Sequence, residues 1–108
     1  MASGNIKKIN ATIAIPSNSD LNDYKIDGQY YCPNGTTAKT ISNTPYSSGG
    51  FGLTVHRVSS GTIGVNASVI QFLYPNSSTA NYFFYRSCIY TNDSYTNTNW
   101  LKLQGTAV

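Results

Sequence analysis

Between Gln29 and Leu103 the apolar residues come in short runs with a two-residue period, each closed off by proline, glycine or a cluster of Asn and Ser. No stretch sustains the 3.6-residue period of an amphipathic helix. A pleated backbone sends successive side chains to opposite faces, so runs of this kind read as strands. Phe51 to Val58 sets Phe51, Leu53 and Val55 against Gly52, Thr54 and His56. Tyr82 to Tyr90 is the strongest strand, with Phe83, Tyr85 and Ile89 for one face and Tyr82, Phe84, Arg86, Cys88 and Tyr90 for the other. Gln29 to Cys32 and Trp100 to Leu103 make shorter strands. Ser59-Ser60-Gly61 closes a hairpin whose return strand is Ile63 to Tyr74, with an interruption at Val69-Ile70.

The punctuation is equally regular. Asp27-Gly28, Pro33 to Thr36 and Pro75 to Ser78 are turn signals, and polar loops span Ser42 to Gly50 and Thr91 to Asn99. Ser17 to Asp23 carries capping residues and one apolar anchor, which fits a single helical turn at Leu21 capped by Ser19 or Asp20. Strands at roughly ten-residue spacing predict an all-β fold: a small antiparallel meander forming a sandwich or open barrel, with at most one short helical turn.

A chain of 108 residues fits one domain, since single cores usually serve roughly 100–150 residues. Residues 1–15 read as a leader, either one edge strand or the end of a fibre shaft, and residues 16–108 as the domain. Apolar residues make up only 40%, but the aromatic share is 13%, and aromatics bring large buried areas per position. Ser, Thr and Asn supply about a third of the chain; these residues disfavour helix and suit caps and turns.

Charge excludes several functions. The net charge is +3, and Lys7, Lys8, Lys25, Lys39, Arg57, Arg86 and Lys102 are scattered. A nucleic-acid surface gathers its cations on one face, so no nucleic-acid partner is expected. No apolar run approaches the ~18 residues of a membrane span, and no secretory signal is expected. Cys32 and Cys88 are therefore expected as buried free thiols. The single His56 lies far from both in sequence, which predicts no metal site and no cofactor.

Catalysis is not expected either. Asp20, Asp23, Asp27 and Asp93 are the only acidic residues, and three of them crowd one turn region as caps. Paired glycosidase carboxylates must instead face each other across a bond. His56 lacks a nucleophile motif, and Gly49-Gly50-Phe51-Gly52 precedes a strand rather than opening a helix. Surface recognition remains. Tyrosines among Asn, Ser and Thr combine flat apolar area with hydrogen bonding, which suits saccharides. The loop holding Tyr90, Asn92, Asp93, Tyr95 and Asn97 is the main candidate ligand site, with Tyr46 and His56 as weaker additions. In this reading Tyr95 stacks on a sugar face while Asp93 and Asn97 take its hydroxyls.

The order of landmarks resembles a known family. Asp20-Leu21-Asn22-Asp23 followed by Gly28-Gln29-Tyr30-Tyr31 is similar to the opening of pyocin-knob and phage tail-fibre tip domains. Pro45 with Phe51 to Val55 resembles that family's "P…G-x-L-x-V" strand. Val69-Ile70-Gln71-Phe72 resembles its glutamine-bearing strand, Tyr85-Arg86 its "Y/F-x-R" strand, and Trp100 to Leu103 its closing "W-x-x-L". One departure is Asn97, which stands where the family often has an earlier tryptophan. The resemblance covers about Pro16 to Leu103. It implies a non-enzymatic, homotrimeric receptor-binding knob at a phage tail tip, made in the bacterial cytoplasm. Its implied partners are host cell-surface polysaccharide and other tail or baseplate proteins. The alternative is a structural trimerising cap with no ligand of its own. Tyr30, Leu53, Val55, Tyr85 and Trp100 are expected in core or strand packing.

Overall fold

A computed structural model describes residues 12–108, and seven strands form among them. They are β1 (Ile13–Ala14), β2 (Gly28–Cys32), β3 (Phe51–Arg57), β4 (Val69–Pro75), β5 (Tyr82–Thr91), β6 (Ser94–Asn97) and β7 (Leu101–Gln104). The all-β class follows directly from the period-two runs. All seven lie in one sheet, in the order β1-β2-β3-β4-β5-β6, with β7 also on β5. The expected meander forms as one sheet that does not close, mixed because β1 pairs parallel to β2 while every other pair is antiparallel. Most of the expected leader lies outside the described residues, but its last part is β1, and Ile15 is buried in the core.

Strand β5 is long enough to take two partners on one edge. β6 pairs with Cys88–Thr91 and β7 with Tyr82–Tyr85, so the two short strands lie end to end. The stretch expected as an open loop from Thr91 to Asn99 is in fact a tight hairpin. Asn92 and Asp93 adopt φ of 53° and 67°, the left-handed pair that a two-residue hairpin turn requires and that Asn and Asp tolerate. The expected long return strand also shortens. Residues 58–68 form a connection in which Val65, Asn66 and Ala67 all donate to the Thr62 carbonyl, and Gly61 and Gly64 supply positive φ.

One sheet face is covered by the segment before β3. Phe51, Leu53, Val55, Val69, Leu73, Phe84 and Cys88 point inward from the strands and meet Ile15, Leu21, Ala38 and Ile41 from the covering layer. A 3₁₀ turn, Leu21–Asp23, forms where the caps predict it, with the Asp20 side chain accepting from Asn22 N. A second single turn, α1 (Gly35–Ala38), sits where only a reverse turn is expected; the Asn34 side chain caps it by accepting from Thr37 N.

The opposite face has no cover among the described residues. The registers place Tyr31, Thr54, His56, Ile70, Phe72, Tyr74, Phe83, Tyr85, Ile89, Leu101 and Leu103 on it. Tyr85 thus belongs to this outer face rather than the core, stacked on Phe72 with ring centroids 6.3 Å apart.

Cys32 and Cys88 are free and buried. They lie on β2 and β5, with β3 and β4 between and at opposite ends of the strands, so they are more than about 14 Å apart and well beyond disulfide reach. Burial pushes both thiols up from their ordinary range. Titration with a thiol-exchange dye should therefore find both cysteines unreactive in native protein at neutral pH and both reactive in denaturant without reductant. A disulfide in the mass spectrum contradicts this sheet order.

Candidate functional site

The landmarks scattered along the sequence converge on one ring of polar contacts at the β5–β6 end of the covered face. Gln71 is fully buried on β4, and its amide donates to the carbonyls of Leu21 at 2.8 Å and Tyr24 at 2.9 Å. Its oxygen accepts from Arg86 Nε of β5 at 2.7 Å, a pairing placed by the β4–β5 register, in which the two residues stand opposite each other. The Arg86 guanidinium lies 4.5 Å from the centroid of the Trp100 ring. The Trp100 indole N–H donates to the Asn43 carbonyl at 2.9 Å. The Asn43 side chain donates to the Asp20 carboxylate at 2.8 Å, and that oxygen also caps the 3₁₀ turn at Asn22 N. The ring thus returns to the turn that Gln71 holds from below.

Around this ring lies a cleft of about 390 Å³ lined by Asn22, Asn43, Thr44, Arg86, Asn97, Thr98, Asn99 and Trp100. The volume falls within the range of small-ligand pockets. Arg86 is its one charged lining residue, 4% exposed. Three buried side-chain atoms lack a hydrogen-bond partner among the described residues: Asn22 Oδ1, Arg86 Nη2 and Asn97 Oδ1. All three belong to residues lining this cleft. A buried polar atom without a partner costs about 1–3 kcal/mol, more if charged, and the three set this cleft apart from the others.

Two other clefts are poorer candidates. One is lined by Asp20, Asp23, Lys25 and Tyr24 beside Tyr30, the other by Tyr31, Phe51 and Tyr74 at the far end of β3; neither is lined by Arg86 or Asn97.

The residues expected to bind are dispersed. Asn97 lines the cleft. Tyr95 turns inward from β6: its hydroxyl donates to the Ala67 carbonyl at 2.8 Å, Lys25 Nζ lies 4.7 Å from its ring centroid, and Tyr90 packs edge-on at 5.1 Å. Tyr90 and Tyr95 therefore peg the hairpin to the domain. Asn92 and Asp93 form the exposed hairpin tip. Tyr46 packs half-buried against the core, and His56 stands on the outer face opposite Ile70. Arg86, Asn22, Asn43, Asn99 and Trp100 are the residues that sequence reasoning missed. One signal was present: an arginine sharing a strand face with Phe84 and Cys88 needs partners inside.

Charge around the ring is tuned by burial and hydrogen bonding. Burial pushes Lys25 and Arg86 down from their usual values, and the Arg86 charge lowers Lys25 further. The Asn43 amide holds the Asp20 carboxyl below its usual 3.8. No protein-family model, curated protein or solved structure matches the chain.

Replacing Gln71→Leu leaves Arg86 Nε and two carbonyls without their partner, and should lower unfolding free energy by about 3 kcal/mol in urea titration. A loss under about 1 kcal/mol would show the network to be dispensable. The Asp20 contribution has a defined pH window. Its folded pKa is lowered, so the stabilisation is complete above the unfolded value and is lost as pH falls through the folded one. Thermal melts of wild type and Asp20→Ala should differ at neutral pH and converge as pH falls below about 3.8.

Proposed function

We propose that this chain is a non-enzymatic receptor-binding knob of a phage tail fibre or baseplate, and that the Arg86–Trp100 cleft attaches it to a bacterial cell-surface saccharide. The observation that carries this reading is the gathering of three unpartnered buried polar atoms on one aromatic-walled cleft. Sugar hydroxyls both donate and accept, so they suit carbonyl oxygens and a guanidinium N–H in the same site. Apolar sugar faces suit an indole such as Trp100. Asn-rich lining with a single charge gives the modest, reversible contact that small exposed sites allow.

The uncharged outer face supports the homotrimer expected of a tail tip. The register positions of β2 to β5 and β7 on that face carry no Asp, Lys or Arg, while Phe72, Phe83, Tyr74 and Tyr85 form a contiguous aromatic cluster. Charge depletion with aromatic enrichment marks the centres of protein interfaces. Three copies would multiply a weak saccharide contact through avidity. The same face favours the second reading, a trimerising cap that only orients another binding domain.

Binding of labelled protein to bacterial cells and to a glycan array separates the two. The Asn22→Ala, Asn97→Ala double variant should lose at least about ten-fold in saccharide affinity, with its melting temperature within a few degrees of wild type. An Asn92→Ala, Asp93→Gly variant at the hairpin tip should bind normally. Retained binding by the cleft variant moves the site elsewhere. Absence of binding by a wild type that light scattering shows to be trimeric favours the cap.

A further inference from the structure

Arg86 is unusual among the cleft residues. Its Nε is used by Gln71 and its plane rests on Trp100, while Nη2 is buried with no partner. No carboxylate is among the eight residues lining the cleft. The one acid in the ring, Asp20, bonds Asn43 and Asn22 N through Oδ1 and acts on Arg86 through space, with no ion pair between them. Lys25 adds a second cation under the same turn, its Nζ bonded to the Asn22 carbonyl. The cleft therefore presents an under-neutralised guanidinium flanked by two amide oxygens.

A neutral hydroxyl satisfies an uncharged donor, but a guanidinium N–H makes its shorter and stronger bonds to a carboxylate. Resting on the saccharide reading above, we infer that the cleft is built for an acidic saccharide, whose carboxylate accepts from Arg86 Nη2 while neighbouring hydroxyls donate to Asn22 Oδ1 and Asn97 Oδ1. Nη2 and both amide oxygens lie beneath the cleft surface, so entry requires lining side chains to turn aside, and Asn97 is one that can. Its oxygen has no hydrogen bond to lose in doing so, and the terminal torsion of Asn is broad. Asn97 stands at the end of β6, a short edge strand. The lowered pKa of Arg86, caused first by burial, is consistent with a cation short of counter-charge.

The test compares glucuronate and galacturonate with their neutral parents, glucose and galactose. Each is titrated into nitrogen-15-labelled protein at low salt while the Trp100 indole and the Asn22 and Asn97 side-chain amides are followed by NMR. At least one acidic sugar should shift all three signals and bind about ten-fold more tightly than its neutral parent, the gain shrinking as sodium chloride is added. Asn97→Asp, which places a carboxylate beside Arg86 from an exposed strand, should remove that preference without unfolding the protein. Equal binding of acidic and neutral sugars at the cleft, or an acidic preference that survives Asn97→Asp, overturns the acidic ligand and leaves a saccharide site. Absence of shifts at these three groups with every sugar overturns both.

Discussion

The Gln71–Arg86 hydrogen bond is the contact on which the covered side of this domain depends. An arginine on the inner face of β5 would carry an uncompensated charge into the core. Gln71, opposite it on β4, accepts one N–H and passes both of its own donors to the Leu21 and Tyr24 carbonyls. The strand register thus dictates where the 3₁₀ turn must sit, and Leu21 enters the core beneath it. Trp100 covers the exposed side of the guanidinium and, through Asn43 and Asp20, closes the ring on the same turn. A glutamine and an arginine, not an apolar pair, hold the covering layer in one place. Polar networks of this kind are stabilising only when satisfied, which makes the remaining unpaired atoms meaningful.

Much of the fold was legible because its signals are local. Alternation at Phe51–Arg57 and Tyr82–Thr91 gave the two long strands, and Asp20 gave the turn cap. The mistakes were also physical in origin. The Thr91–Asn99 stretch looked like a loop because Asn-Asp lacks the usual glycine, yet both residues accept left-handed backbone and make a two-residue turn. The Ile63–Tyr74 run looked like a strand broken at Val69-Ile70; only the part from Val69 is one, because Ile63 and Val65 are exposed in the turn that Gly61 and Gly64 permit. Whether the strands close into two layers depends on what faces the second side. Single-sequence periodicity does not report that, since Tyr85 and Phe84 are both aromatic.

The site was less legible than the fold. Loop aromatics looked like a saccharide platform, but Tyr95 has its hydroxyl and one ring face engaged inside the molecule. The cleft instead draws Asn22 from the 3₁₀ turn, Asn43 and Thr44 from a later loop, Arg86 from β5 and the run Asn97 to Trp100 from the end of β6 onward. Separations of this size leave no spacing motif. Two residues that seemed only to mark a family resemblance, Arg86 and Trp100, line the cleft, so packing and proposed recognition share them.

A double-mutant cycle between Gln71→Leu and Trp100→Leu tests the closed ring most directly. The two side chains are joined through Arg86, each touching it and neither shown touching the other. If the ring acts as a unit, the second substitution should cost much less once the first has been made. The coupling free energy in urea unfolding should then reach about 1 kcal/mol or more. Additivity within about 0.5 kcal/mol would mean that Gln71 and Trp100 stabilise the domain independently, and the ring as described would not exist as an energetic unit.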